Sequence, residues 1–272
     1  MKMHLSSALV LAVAIGASTH VGYTAEISAT LGATLKIASM ETELQPRYFL
    51  ENWAGSGAGT SRVISDPDGS FPFAFKEDNQ PFMTGKGIFK QDPATGAIHV
   101  TYVFSATADR KLNVLGAGLT VTEAAFAGGT WQTDTAAGKF PQTRDGLSVV
   151  SGKVKRLTLT SVQGRAITFL FAEPTEVMIQ DDRQWSPHFS VRIGHNGEAR
   201  CFKKGEPWQL AFDVVTSARE KLVFDAPVIL QAGADWIPFR ADLDIDEGSA
   251  LDFSTLGLHD KPAGKYGYVL AK

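Results

Sequence analysis

Cysteine is almost absent from this chain of 272 residues, which contains Cys201 alone. A single thiol excludes a disulfide within the chain. A protein of this length buries enough apolar surface to fold without bridges, so the low cysteine content is compatible with export. The cations Arg200, Lys203 and Lys204 would favour a thiolate at Cys201. We nevertheless interpret Cys201 as an inert, half-buried strand residue, because the spacing implies no histidine partner.

The sequence also lacks an excess of positive charge and any apolar stretch long enough for a transmembrane helix. A net charge of −3 and a pI near 6.1 exclude the basic face expected of a nucleic-acid-binding protein. The apolar run of residues 5–17 is too short to span a bilayer and follows a basic start. We expect residues 1–25 to be a signal peptide cleaved after Ser18 or Ala25, although a buried N-terminal helix is the alternative. The mature protein is then secreted or periplasmic, without a membrane segment.

Motifs of the common catalytic and metal sites are missing as well. The chain has no Gly-x-Ser-x-Gly elbow, no His-Glu-x-x-His pair and no Cys/His spacing typical of a metal site. It has no internal repeat, no cofactor motif and no amphipathic helix longer than a turn or two. These absences leave a hydrolase triad without support, and we predict no cofactor except a calcium candidate described below.

The positive signal is a series of short strands with alternating polarity. Residues 207–215 show it best, because Trp208 and Phe212 share one face while Gln209 and Asp213 share the other. The Gly, Pro and Asp residues between such segments are typical of turns. Strands are predicted at residues 98–105, 111–114, 119–123, 154–161, 166–171, 176–180, 189–193, 208–215, 221–224, 228–231 and 237–245. At least eleven strands favour an all-β fold, a large antiparallel β-sandwich.

The predicted core and boundaries follow from this pattern. Residues 26–47 are predicted to be a weakly ordered lead-in or a first edge strand, residues 48–247 the sandwich, and residues 248–272 a linker or edge segment. A hairpin is expected around residues 163–165. The expected core positions are Leu157, Leu159, Phe169, Ile179, Val191, Trp208, Leu210, Phe212, Ile237 and Leu243.

Four segments together carry a family resemblance: residues 179–185, 234–238, 248–254 and 260–267, the last reading Asp-Lys-Pro-Ala-Gly-Lys-Tyr-Gly. They resemble the N-terminal β-sandwich region of large secreted bacterial glycoside hydrolases of the cellulase-like (β/α)₈ type. The strand-rich layout is also similar to the supersandwich of galactose mutarotase-like proteins. The resemblance implies a non-catalytic accessory domain that binds or presents polysaccharide, with a downstream catalytic barrel as partner. It carries over no catalytic residue.

Tryptophan and charged residues are the candidates for carbohydrate binding. An exposed indole offers a flat apolar face to a pyranose ring, and Trp53, Trp131 and Trp236 are out of phase with the core or lie in glycine-rich loops. Asp182 and Arg183 are predicted at a hairpin tip beside Trp185. There they could hydrogen-bond sugar hydroxyls, or they could order the turn.

Three carboxylates form a calcium candidate. On a strand Asp242, Asp244 and Asp246 share one face, and calcium takes such oxygen ligands. The segment does not fit an EF-hand, because Glu247 occupies the position of the turn glycine. A solvated strand face is the other interpretation.

Two functions therefore stay open. The first is the accessory domain; the second is a mutarotase-like or polysaccharide-lyase-like enzyme acting on a sugar in the concave sheet. An enzyme would need a histidine or tyrosine beside an acid. A carboxylate within hydrogen-bond reach of His99 or His188 in a cleft would favour the enzyme, whereas exposed tryptophans without such a pair would favour binding.

Overall fold

Alternating apolar residues build strands along almost the whole described chain. The computed structural model describes residues 25–57, 70–218, 220–224, 229–232 and 235–238. The first eight strands are β1 (Ala25–Thr30), β2 (Thr34–Ile37), β3 (Thr42–Leu50), β4 (Gly55–Gly57), β5 (Phe71–Glu77), β6 (Gln80–Gln91), β7 (Ile98–Ala106) and β8 (Arg110–Thr122). Short 3₁₀ turns at Leu31–Ala33 and Ala38–Met40 separate the first three strands.

A single-turn helix divides these strands from the rest. Helix α1 (Glu123–Phe126) starts at Thr122, whose hydroxyl accepts a hydrogen bond from the Ala125 amide at 3.3 Å, as an N-cap does. The remaining strands are β9 (Thr130–Thr133), β10 (Ala137–Lys139), β11 (Ser148–Thr160), β12 (Ala166–Asp181), β13 (His188–Phe202), β14 (Pro207–Thr216), β15 (Glu220–Phe224), β16 (Ile229–Ala232) and β17 (Asp235–Pro238).

Fifteen strands form one curled sheet, and β16 pairs with β17 in a separate hairpin. The main path runs β15-β1-β2-β3-β8-β13-β12-β14-β7-β6-β5. Among the described strands every pairing is antiparallel except that of β1 with β15. The prediction of an all-β fold with at least eleven antiparallel strands is confirmed.

The long strand β12 divides the sheet into two layers. The first half of β12 pairs with β14 and the second half pairs with β13. Along its other edge β12 pairs with β11 over both halves. Between the halves the register with β11 jumps from Thr175 to Leu170. Such a bulge bends a strand, and Pro174 lies within it because a bulge tolerates a residue without an amide hydrogen.

The two layers face each other across one apolar core. Tyr48 on β3 packs against Phe75 on β5 with ring centroids 4.6 Å apart, although these strands are far apart in the sheet order. The buried Tyr102 hydroxyl donates to the Ala33 carbonyl at 3.0 Å. These contacts close the sheet into a β-sandwich. The predicted core positions Leu157, Leu159, Phe169, Ile179, Val191, Leu210 and Phe212 are buried.

Several details differ from the sequence prediction. Residues 26–47 are not a weakly ordered lead-in, because they form β1, β2 and most of β3, each paired with neighbouring strands inside the sheet. Trp208 is half-buried and packs against the core. Cys201 is exposed near the end of β13 and not half-buried. The side chains of Ile237 and Leu243 lie outside the described part of the structure, as do residues 248–272.

Candidate functional site

A shallow floor forms on the face of β3, β8, β13 and β12 that points away from the core. The alternation of each strand decides which residues reach it: Arg47 lies between the buried residues Pro46 and Tyr48, and Arg192 between Val191 and Ile193. On β8, which runs between them, the corresponding positions are glycines.

The two glycines of β8 keep the floor low. Gly116 is the register partner of Arg47, and Gly118 is the register partner of Arg192. A Cβ atom on Gly118 would lie 2.7 Å from Arg47 Cδ. Arg47 therefore lies across Gly118 and extends toward β13, an approach that a larger residue on β8 would obstruct.

Two exposed tryptophans from turns, with one phenylalanine and one leucine, make walls above this floor. The resulting cavity has a volume of about 540 Å³, within the range of small-molecule sites. Trp185 is 66% exposed and Trp53 is 52% exposed, and Phe49 and Leu147 complete the apolar lining. We call this cavity the Trp53–Trp185 cleft.

Local turns hold both tryptophans in place. Trp53 has a left-handed backbone (φ 64°) in the tight turn between β3 and β4, and its amide donates to the Leu50 carbonyl at 2.9 Å. Trp185 lies in the turn between β12 and β13, where its amide donates to the Asp182 carbonyl at 2.8 Å. The two indoles are therefore attached to strand ends and not to long loops.

Asp182 provides the acidic group of the cleft. Its Oδ1 accepts a hydrogen bond from Gln180 Nε2 at 2.6 Å, and its Oδ2 accepts one from the Ser190 hydroxyl. His188 Nε2 lies 3.5 Å from Asp182 Oδ2. Each carboxylate oxygen has a second lone pair, so Asp182 can still accept a hydrogen bond from a ligand hydroxyl.

In the part of the chain that the structure describes, neither arginine of the floor has a carboxylate ion-pair partner; Arg192 is buried and Arg47 is half-buried. Arg192 is 6% exposed, and its guanidinium lies over the Phe49 ring at 4.5 Å. Burial lowers the pKa of Arg192 and of Arg47, because it disfavours the charged form, and the charge of Asp182 partly opposes this shift in both.

The neighbouring pair Asp181 and Arg183 supports the turn and does not line the cleft. Both side chains are almost fully buried, and they form a bidentate ion pair at 2.7 and 2.8 Å. Arg183 also donates to Glu123 at 2.9 Å and to the Gln142 carbonyl at 2.8 Å. Of the two interpretations of Arg183, the geometry agrees with turn stabilisation, because four of its five N–H donors already have partners within the protein.

The other predicted tryptophans are placed differently. Trp131 is not in a glycine-rich loop: it lies on β9, half-buried against the core, with Gly138 packed on its indole. Trp236 belongs to β17, but its side chain lies outside what the structure describes. The cleft therefore unites Trp53, Asp182 and Trp185 of the predicted set.

The calcium candidate Asp242, Asp244 and Asp246 lies outside the described residues. Within the described ranges no group of three or more His, Cys, Asp or Glu side chains could hold a metal ion. No helix in those ranges is both long and apolar enough to cross a membrane.

The sequence prediction missed Arg47 and Arg192, and it missed Phe49 and Leu147 in the walls. The sequence carries no signal for Arg192, because residues 189–193 alternate and place Arg192 with Ser190 on the polar face, where an arginine is ordinary. His99 also meets a carboxylate, with Nδ1 2.8 Å from Asp213 Oδ1. That pair joins adjacent strands with both side chains about half exposed.

No protein-family model matches the sequence, and no curated protein matches it either. Among solved structures, the chain is similar to the galactosidase domain of an α-galactosidase–sucrose kinase (10% identity, TM-score 0.42, 64% of this chain and 30% of that one). It is also similar to an α-galactosidase from Lactobacillus brevis (12% identity, TM-score 0.41, 68% of this chain and 24% of that one). A third similar structure is a putative aldose 1-epimerase from Escherichia coli K12 (13% identity, TM-score 0.35, 72% of this chain and 99% of that one). The chain thus spans less than a third of the two galactosidases, and likeness at this level establishes neither a family nor an activity.

Proposed function

We propose that this chain is a non-catalytic carbohydrate-binding domain whose ligand occupies the Trp53–Trp185 cleft. The observation that carries the proposal is the pairing of two largely exposed indoles with a polar floor in one cavity. Indole faces cover the C–H face of a pyranose, and carboxylate, amide and hydroxyl groups below them can bind its hydroxyls. Such a combination suits a saccharide better than a wholly apolar ligand.

The cellular setting belongs to the same proposal. The basic start and short apolar run favour action outside the cytoplasm. The resemblance of residues 248–254 and 260–267 to the approach of a catalytic barrel favours association with a glycoside hydrolase. Stacking on one or two rings contributes a few kcal/mol, so an affinity in the millimolar to high-micromolar range is expected.

Binding is tested by titrating the purified protein with a panel of oligosaccharides while following tryptophan fluorescence and heat. Trp185→Ala should weaken binding by about tenfold, a loss of about 1.4 kcal/mol, because the ring is exposed in the free protein. Trp131→Phe is the matched control, since that ring packs on the core outside the cleft. Equal affinities of Trp185→Ala, Trp53→Ala and the parent protein would refute the site.

A sugar-modifying enzyme is the second candidate, and the contact between His188 and Asp182 favours it. A histidine within reach of a carboxylate in a cleft can serve in general acid–base chemistry. Polarimetry of freshly dissolved aldoses and absorbance assays for unsaturated products test mutarotation and elimination. Turnover that disappears in His188→Gln and Asp182→Asn but persists in Trp131→Phe would replace the binding proposal with the enzyme.

A further inference from the structure

Two arginines on the floor of the cleft lack an anionic partner of their own. Arg47 Nε is buried and makes no hydrogen bond. The hydrogen bond of the Arg192 side chain goes to the Met178 sulfur at 3.8 Å, and a thioether is a weak acceptor. Within the described ranges of the chain, neither guanidinium forms an ion pair with a carboxylate. Arginine is rarely left in this state, since a buried charge is costly unless it is paired.

The charges of the floor do not balance. Asp182 is the acidic residue whose charge acts on both Arg47 and Arg192, so two cations face one anion. The Asp182 oxygens already accept hydrogen bonds from Gln180 and Ser190. The two guanidiniums also disfavour each other, because the charge of Arg47 lowers the pKa of Arg192. An anion placed between the two guanidiniums would pair with their buried charges and would also offset their mutual repulsion.

The geometry brings the two guanidiniums toward one place. They belong to β3 and β13, the strands on either side of β8, and Gly118 lies between them as the register partner of Arg192 and the support under Arg47. The planar guanidinium presents paired donors that match the oxygens of a carboxylate or a sulfate. The site is thus shaped for one anionic group beneath the aromatic walls.

We propose that the cleft selects an acidic saccharide, whose uronate carboxylate or sulfate ester binds Arg47 and Arg192 while its rings contact Trp53 and Trp185. This inference rests on the proposed carbohydrate-binding function and narrows it to a ligand class. Asp182 then binds hydroxyls of the same saccharide on the side away from the anionic group.

The ligand test compares four oligosaccharides of equal length by calorimetry at low and high ionic strength. These are an oligogalacturonide, its methyl ester, a sulfated galactan fragment and a neutral galactan fragment. The acid should bind at least about tenfold more tightly than its ester, and the advantage should shrink in salt. The sulfated arm distinguishes the two anionic groups. Equal affinity for acid and ester together with equal affinity for the sulfated and neutral fragments would overturn the inference yet leave the proposed function standing, whereas no binding in any arm would overturn both.

The residue test uses Arg47→Gln, Arg192→Gln and Arg192→Lys, with Arg156→Gln as control. In both glutamine variants the affinity for the acid should fall until it is within about twofold of the affinity for the ester. The neutral ester gains nothing from a guanidinium charge, so its own affinity should change little. Arg192→Lys keeps a charge and should keep part of the preference, which separates lost recognition from lost folding. Arg156 is exposed on β11 and does not line the cleft, so its variant should match the parent. An unchanged preference in folded Arg47→Gln and Arg192→Gln proteins would refute the assignment.

Discussion

Replacing Arg183 with methionine should destabilise the fold more than any change of an exposed arginine. The Arg183 side chain is 6% exposed and its partner Asp181 is 1% exposed. Methionine keeps most of the apolar stem but removes the two hydrogen bonds to Asp181 and those to Glu123 and Gln142. It also removes the guanidinium from the Phe189 ring, over which it lies at 4.7 Å.

The magnitude follows from the carboxylate that is left behind. Breaking a buried ion pair by removing one partner costs about 3 to 5 kcal/mol, because the other charge stays buried and uncompensated. In a domain of this size each kcal/mol lowers the Tm by about 2 to 4 °C, so a fall of about 6 to 20 °C is expected. Adding Asp181→Leu to the variant should restore part of this loss, since it removes the stranded charge.

The effect should depend on pH in a defined direction. Hydrogen bonds from Arg183, the largest influence, hold the pKa of Asp181 below its ordinary value. A depressed folded-state pKa means that the stabilisation is present above the unfolded pKa of about 3.9. It is lost as the pH falls through the folded-state pKa. The stability difference between parent and variant should therefore narrow below about pH 4.

Chemical and thermal unfolding followed by far-ultraviolet circular dichroism measures both effects. Arg156→Met is the control, and this exposed change should stay within about 0.5 kcal/mol of the parent. A loss below about 1 kcal/mol for Arg183→Met, or a difference that does not narrow in acid, would refute the role given to the ion pair.

Three further outcomes are expected. Tyr102→Phe should lower the free energy of unfolding, measured with urea, by about 1 to 2 kcal/mol, because the buried Ala33 carbonyl loses its hydrogen-bond donor. An unchanged free energy of unfolding would show that water replaces the hydroxyl. Gly118→Ala should weaken acidic oligosaccharide binding severalfold by displacing Arg47, and full affinity would contradict the described floor. Cys201 should react with one equivalent of a thiol reagent in the native protein without loss of ligand binding, and protection until unfolding would contradict its exposure.

The sequence was sufficient for local pairings and insufficient for the assembly of the cleft. The hairpin was predictable because Leu157 and Leu159 alternate in phase with Ile167 and Phe169, and the structure pairs Leu157 with Phe169 and Leu159 with Ile167. The two short strands expected at residues 111–114 and 119–123 are one strand, β8. Its glycines resemble a turn in sequence, whereas in the sheet they make room for Arg47.

The cleft could not be predicted from the sequence pattern, because that pattern does not give the order of the strands in the sheet. Trp53, Arg47, Asp182 and Arg192 come from β3, β12 and β13 and the turns beside them, and their proximity depends on the order β3-β8-β13-β12. Alternation fixes which face a residue occupies, but it does not fix which strands are neighbours. The strand β5 was also missed, although Phe71, Phe73 and Phe75 alternate within it, all three of them buried.

The parallel pairing of β1 with β15 has a consequence for the order in which the protein forms. Ala25 is the partner of Glu220, so this seam joins residues close to opposite limits of the described chain. During synthesis β1 can pair early with β2, but its other edge stays open until β15 has emerged. Contacts between residues so distant in sequence form slowly, and an open strand edge can pair with other chains. A partly folded intermediate of this protein would therefore carry one unsatisfied strand edge until β15 pairs with β1.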